Sequence, residues 1–341
     1  MKSLLITGGL GYIGSSLLNQ INIEDYDNIV IIDLDLFKNE KKILESINKN
    51  KDGRKVVIKK INFTNIIDLD KIFSYYKINI VAHLGGLVGD PACSYNISLT
   101  NKINTIATNE IIDLSIKHKV AKFIFASSCS VYGINEDICN EKTEPKPISE
   151  YAVSKLNGEK KLHSVKDKFE QITIYRFSTL YGVSERVRFD LVGNLFYAKA
   201  KWENVISLFG GWQWRPFINV KDAGLALSAV LNKNKTGLNI YNVGIEKGNS
   251  TLENLANLTK LNFPKCKIID IGSKDDARNY KVNFDKFNNE FGDILNFNLE
   301  DGINDLFHEL KNFEDNWQDL KYSNLLTTIK YSKLLMKNES K

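Results

Sequence analysis

A doubly wound parallel sheet of the α/β class, with a smaller α/β lobe interleaved into it, is the fold this sequence predicts. Three observations predict it. Apolar runs of strand length alternate with helical segments through the first half of the chain. Several of those runs are nearly continuous, as expected of parallel strands buried on both faces. A glycine-rich turn, Gly8-Gly9-Leu10-Gly11-Tyr12-Ile13-Gly14, joins the first apolar run to the first helical segment.

The strand candidates are 3–7, 29–33, 55–60, 78–83, 123–127 and 172–177, with helical segments at 12–22, 65–76, 100–118 and 150–168. Strand–helix alternation with short turns is the signature of a doubly wound sheet. After residue 177 the rhythm changes. Loops carry Arg186, Arg188, Trp212, Trp214 and Arg215. A helix at 221–232, strands near 239–243 and 266–270, a helix near 250–260 and a helical region after Glu300 follow. In the tail, Leu320, Leu325, Ile329 and Leu334 suggest a last helix packing on the smaller lobe.

The bulk properties exclude several classes. A net charge of +5 with no long basic block argues against nucleic acid as a partner and suits an anionic small substrate. No apolar stretch approaches the roughly 18 residues of a membrane span. The four cysteines show no metal-type pairing, so no metal is expected. With no signal peptide they read as free thiols, and the expectation is a cytoplasmic protein without membrane association.

The glycines follow a Gly8-x-x-Gly11-x-x-Gly14 spacing. They allow a tight turn, a backbone that approaches a pyrophosphate closely, and a helix N-terminus that faces the anion. Asp33 closes the second strand candidate 19 residues after Gly14, where a carboxylate grips adenosine ribose hydroxyls. A carboxylate there repels a 2′-phosphate, so NAD is favoured over NADP. Lys38 is read as a solvated loop charge.

Tyr151-Ala-Val-Ser-Lys155 supplies the chemistry. Residues i and i+4 of a helix share a side, so the phenol and the ammonium share a site. A phenol is a poor base at neutral pH, and a neighbouring cation stabilises the phenolate. Ser127-Ser128-Cys129 adds a hydroxyl for the same substrate oxygen. Together these residues take a proton from an alcohol while a hydride leaves its carbon.

With both motifs present, the chain resembles the extended short-chain dehydrogenase/reductases, specifically the nucleotide-sugar epimerase/dehydratase family, over about residues 3–310. Further matching stretches are His83-Leu84-Gly85-Gly86, Asn104, Phe125 to Gly133, Tyr175-Arg176-Phe177, Tyr181-Gly182, Asn194, Arg215 to Asp222 and Tyr241 to Gly244. The resemblance implies a Rossmann-type fold with residues 1–177 as the NAD-binding domain, to which 213–232 returns. It implies a nucleotide-sugar lobe over 178–315, followed by a helical tail at 316–341. It makes Ser128, Tyr151 and Lys155 catalytic, with Lys155 binding the nicotinamide ribose and lowering the tyrosine pKa. Gly8, Gly11, Tyr12, Ile13, Gly14, Asp33, Leu84, Gly85, Gly86 and Asn104 are the implied cofactor contacts, with Asn62 and Phe63 bordering the adenine. Asn194, Arg215 and Arg278 fall where the family holds the nucleotide diphosphate. The alternative for Arg278 is a surface ion pair with Asp275 or Asp276. Arg186 and Arg188 are candidates for the sugar or the diphosphate, with a loop-stabilising ion pair as the alternative. A homodimer through two helices per subunit, one bearing Tyr151, is also implied.

Dehydratases of this family carry an Asp-Glu pair immediately after the catalytic Ser/Thr, whereas this chain has Cys129-Ser130. Elimination is therefore disfavoured. Ser127-Ser128-Cys129 is similar to the Ser-Ser-Cys of 3,5-epimerase/reductases, but no histidine partner for Cys129 is found, and it is read as a small packed residue. What remains is oxidation of a sugar C4 hydroxyl, ending in a 4-epimerase or a 4-dehydrogenase. The stretches 89–93, 181–191 and 277–280 are similar to enzymes that oxidise GDP-heptose at C4 for bacterial surface polysaccharides. They favour that reading over a UDP-glucose/galactose-type 4-epimerase. A non-catalytic dinucleotide sensor is disfavoured because Ser128, Tyr151 and Lys155 are all intact.

Overall fold

The computed structural model describes residues 2–50, 55–272 and 278–337. In chain order its elements are β1 (Ser3–Thr7), α1 (Tyr12–Gln20), β2 (Asn28–Ile32), α2 (Glu40–Asn50), β3 (Val56–Lys59), α3 (Ile66–Tyr76) and β4 (Ile80–His83). There follow α4 (Asp90–Tyr95), α5 (Ile97–Thr100), a π-helical turn (Asn101–Ile106), α6 (Ala107–Lys117), β5 (Lys122–Ser128), β6 (Ile134–Cys139), α7 (Glu150–Ser164) and β7 (Gln171–Phe177). The second half runs β8 (Thr179–Tyr181), α8 (Val192–Ala198), β9 (Val205–Leu208), β10 (Trp214–Asn219), α9 (Val220–Asn232), β11 (Gly237–Val243) and β12 (Asn249–Thr251). It closes with α10 (Leu252–Leu261), β13 (Lys267–Asp270), β14 (Asn279–Val282), α11 (Asp285–Phe291), α12 (Leu299–Leu310) and α13 (Asn324–Lys337).

Seven strands form one parallel sheet in the order β11-β7-β5-β4-β1-β2-β3. Every residue of β1 and β7 is buried, as expected of parallel strands covered on both faces. The strand order reverses between β1 and β4, and a doubly wound sheet binds its ligand in the crevice beyond the strand ends at that point. Apolar side chains cover both faces. Leu4, Ile6, Leu17, Tyr175 and Leu227 lie on one, with Leu5, Val81, Ile111, Phe123 and Ile174 on the other. α9 packs on α1 so closely that a Cβ on Gly224 would meet Ser16 Oγ at 2.4 Å.

The strand at 237–243 belongs to this sheet, where β11 pairs with β7 along its whole length. The expectation had assigned that stretch to the smaller lobe. A second core gathers Tyr181, Phe189, Phe196, Tyr197, Leu255, Ile303 and Leu306 beside the short β8–β10–β12 sheet. The tail departs from its expected place. Tyr322 joins this second core, but α13 runs on to pack against α4, and Tyr331 reaches the cluster around Leu99 and Ile103.

His83, at the end of β4, is 1% exposed and stacks on Phe125. Its ring nitrogens bond the Thr7 and Thr108 hydroxyls at 2.6 and 2.9 Å. Burial, with the Lys155 ammonium nearby, drops its pKa to about 3. The native state therefore holds a neutral imidazole, whereas an unfolded chain takes up a proton below about pH 6.5. The stability this contributes is complete above that pH and is lost as pH falls toward 3, at about 1.4 kcal/mol per pH unit. Urea unfolding at pH 5 and pH 7 is expected to show a smaller difference in His83→Phe than in the wild type.

Candidate active site

At the switch point, β1 turns into α1 through the glycine loop. Gly8 has φ +69°, and a Cβ there would lie 2.7 Å from Gly85 Cα. At Gly14 a Cβ would come within 2.5 Å of the Gly8 carbonyl oxygen. Side chains would thus fill the cradle that brings backbone close to a pyrophosphate. Gly11 caps α1 with no side-chain hydrogen bond to the helix end, leaving the backbone N–H groups as the donors for an anion. Asp33, just past β2, accepts from the backbone N–H of Leu10 and of Asp35 at 3.1 and 2.9 Å. Burial raises its pKa, opposed by those bonds. The chain thus holds a carboxylate fixed at the ribose position.

A cavity of about 550 Å³ opens from this loop. Gly8, Gly11, Tyr12, Ile13, Gly14, Asp33, Asn62, Phe63, Leu84, Gly85 and Gly86 all line it. Asn62 Oδ1 already accepts from the Thr64 N–H at 3.0 Å. Asn104 does not line the cavity. Its amide accepts from Leu87 N–H at 2.7 Å and donates to Leu87 O and Ser154 Oγ, so it braces the loop behind the cofactor position. That corrects the direct contact expected of it. Lys38 is exposed, as read from the sequence.

Ser128, Tyr151 and Lys155 line the same cavity. Ser128 ends β5; Tyr151 and Lys155 lie on α7, whose first turn is capped by Ser149 Oγ accepting from Ala152 N–H at 3.3 Å. The Lys155 Nζ lies 5.8 Å from the centre of the Tyr151 ring. Burial lowers the Lys155 pKa to about 8, with Cys93 opposing. Burial also pushes the Tyr151 phenol above its ordinary value, reinforced by Cys93 and Asp90, while Arg188 and Ser128 act the other way. The lowering of the tyrosine expected from Lys155 is opposed by burial, which pushes the phenol up.

Two hydroxyls, not one, stand at the end of β5. Ser130 Oγ donates to Ser128 Oγ at 2.9 Å and also lines the cavity. The sequence reading noticed position 130 only for its missing carboxylate. Cys129 points away, its thiol donating to Arg176 O at 3.1 Å and raised in pKa by burial, as befits a packed residue. Among the described residues the carboxylates lining the cavity are Asp33, Asp90 and Asp190. Asp90 was missed; it accepts from Ser149 Oγ at 2.5 Å and pairs with Arg278 at 2.5 Å. The Gly89-Asp90-Pro91 break before a helix was the available signal.

Glu159 follows Tyr151 and Lys155 along one face of α7. It bonds the guanidinium of Arg176 through both oxygens, at 2.7 to 3.2 Å, and accepts from Ser127 Oγ at 2.5 Å. Arg176 also donates to Tyr132 OH at 2.9 Å. This buried network ties α7 to β5 and β7.

The remaining candidates divide. Arg215, Arg278, Arg186 and Arg188 line the cavity. Arg215 donates to the backbone carbonyls of Trp214 and Arg278. Arg278 pairs with Asp90; the alternative partners Asp275 and Asp276 lie outside the described residues. Arg188 pairs with Asp190 at 2.9 Å, the loop-stabilising role held open for it. Asn194 is fully buried and outside the cavity lining. Its amide accepts from Gly182 N–H at 2.8 Å and donates to Gly182 O and Arg188 O. It shapes the 182–188 loop, which corrects the substrate contact expected of it.

A parallel sheet with a glycine-loop crevice, an acid at the ribose position and a Ser/Tyr/Lys group on the opposite wall defines a dinucleotide-dependent enzyme that moves hydride from an alcohol. The family model of the NAD dependent epimerase/dehydratase family matches residues 4–244, and the chain belongs to that family, with NAD as its cofactor. It is 29% identical to the uncharacterised UDP-glucose epimerase YtcB of Bacillus subtilis (strain 168), over 67% of this chain and 72% of that protein. It is 26% identical to UDP-glucose 4-epimerase 2 of Arabidopsis thaliana, over 92% of this chain and 95% of the other. Human dTDP-D-glucose 4,6-dehydratase is 30% identical, over 71% and 69% of the two chains. Among solved structures, a UDP-glucuronic acid 4-epimerase from Bacillus cereus, in complex with UDP-glucuronic acid and NAD, superposes with a TM-score of 0.79 at 23% identity. That match covers 92% of this chain and 100% of the other.

Proposed function

We propose that this enzyme oxidises the C4 hydroxyl of a nucleotide-activated sugar and returns the hydride to the other face, as a 4-epimerase. The observation that carries it is the wall around Tyr151: Ser128, Ser130 and Lys155 surround the reacting position, and residues 129 and 130 offer no carboxylate for elimination. Tyr151 takes the C4 hydroxyl proton, and Ser128 holds the same oxygen, itself oriented by Ser130. Lys155 places a cation beneath the tyrosine. NAD, when bound, supplies the hydride acceptor and a cationic nicotinamide ring. Arg215 and Arg278 stand at the cavity wall as candidates for the nucleotide diphosphate, since a guanidinium fork suits paired phosphate oxygens. The end-to-end similarity to a UDP-glucose 4-epimerase supports this reading. Asn324, Leu325, Thr327 and Thr328 of α13 also line the cavity.

A GDP-heptose 4-dehydrogenase in surface-polysaccharide (capsular) biosynthesis is the second reading. The stretches 89–93 and 181–191 favour it, since both lie at the cavity. We also propose a homodimer through two helices per subunit, one of them α7, where Val153 is 39% exposed and Ile106, in the π-helical turn that leads into α6, is 47% exposed. The four buried, free cysteines support a reducing, cytoplasmic setting.

Incubation with NAD and UDP- or GDP-sugars, followed by NMR of the products, tests the reading. An inverted C4 alcohol is the expected product. Accumulating 4-ketone with protein-bound NADH supports the dehydrogenase, and a 6-deoxy-4-keto sugar contradicts both.

A further inference from the structure

Arg186 is 3% exposed and lines the cavity. Its guanidinium lies 3.5 Å above the centre of the Phe37 ring, and Nη2 donates to Asn324 Oδ1 at 2.7 Å. Its Nε is buried without a hydrogen-bond partner. Among the described residues no carboxylate forms a salt bridge with it: Asp190 pairs with Arg188, and Glu185 with Lys42. Burial, then the repulsion of Arg188, lowers its pKa to about 9. A stacked ring and one amide oxygen leave most of a buried positive charge uncompensated, which is costly unless an anion joins it.

The position of Arg186 selects the anion. Phe37 follows β2 and Asp33, on the ribose side of the crevice. Asp33 is among the groups whose charge acts on Arg186, and Tyr12, at the start of α1, lines the same cavity. Arg215 and Arg278 stand elsewhere, beside Tyr280 and Asp90. The loop that carries Arg186 is held against the first lobe by Lys42, which pairs with Glu185 at 3.2 Å. Asn324 opens α13. Its N–H donates to Asp190 Oδ2 at 2.6 Å and its side-chain amide to Val88 O at 2.8 Å. Arg186 thus reaches from the loop of one lobe to Phe37, beyond β2 in the other, and is clamped by the C-terminal helix.

We infer that Arg186 binds the diphosphate of NAD from the side opposite the glycine loop, and that Asn324 at the head of α13 holds it there. The C-terminal helix is then part of the cofactor site. The inference rests on NAD as cofactor and not on which sugar is turned over.

The test is a comparison of wild type, Arg186→Met and Arg186→Lys, freed of nucleotide. Calorimetric titration is run with NAD, ADP-ribose and UDP, with adenosine measured by competition, and melting is followed with and without NAD. Arg186→Met is expected to weaken NAD and ADP-ribose by about 10- to 100-fold, the range of a charge-assisted contact, and to leave adenosine and UDP unchanged. Arg186→Lys should fall between. Without nucleotide, Arg186→Met should melt at or above the wild-type temperature, because it removes an uncompensated charge, while its NAD-induced shift shrinks. Unchanged NAD affinity overturns the proposal. So does an equal loss for adenosine, which marks a packing role, or a loss confined to UDP, which assigns Arg186 to the sugar nucleotide.

Discussion

Replacing Tyr151 by Phe is expected to lower turnover by roughly 10²- to 10⁴-fold, the usual contribution of a positioned acid–base group. The substitution removes one oxygen and leaves the ring in place. Among the described residues the carboxylates lining the cavity, Asp33, Asp90 and Asp190, are bonded elsewhere, so none stands ready to substitute for the phenol. Lys155, itself depressed to about 8, lies on the same helix face and remains in place when the phenol oxygen is removed. NAD binding depends on the glycine loop and Asp33 and should change little, which cofactor titration checks alongside turnover by NMR. Turnover within a few-fold of wild type would remove the tyrosine from the mechanism.

The largest structural effect is expected at Glu159. The side chains of Glu159 and Arg176 are 5% and 4% exposed, and their paired bonds leave neither charge in contact with water. Replacing Glu159 by Ala strands the Arg176 guanidinium in the core, with an expected loss of about 3–5 kcal/mol in urea unfolding. Replacing the pair together, Glu159→Leu with Arg176→Met, should recover most of that stability, since apolar isosteres of buried pairs are often neutral. The double variant separates stability from positioning. It lacks the anchor between α7 and β5, so its kcat should stay below wild type even where its stability is restored. A fully active double variant would show that the pair stabilises the fold without positioning Tyr151.

Much of the fold was legible because burial on two faces writes near-continuous apolar runs, such as Ile29–Ile32 in β2 and Phe123–Ala126 in β5. α2 was not legible: in its lysine- and asparagine-rich sequence the fully buried residues are Ile43 and Ile47, too few to show a period. The cofactor loop was legible because glycine is required by backbone proximity, a local matter. Asn104 and Asn194 were placed in the site by motif but bond Leu87 and Gly182 instead, since an amide declares its partner only through tertiary geometry. Asp90 and the head of α13 reach the cavity from segments distant in sequence. The apolar spacing of Leu325 and Ile329 announced a helix but not the surface it covers.

The claim at the centre of this account is C4 oxidation at Tyr151 with the neighbouring carbons untouched. The most direct measurement follows a nucleotide sugar deuterated at C4, together with its unlabelled form in deuterated water, by NMR. The expected result is a C4-inverted product that keeps its deuterium at C4 and takes none from solvent at C5. Solvent deuterium at C5, with loss of the C6 hydroxyl, would contradict it.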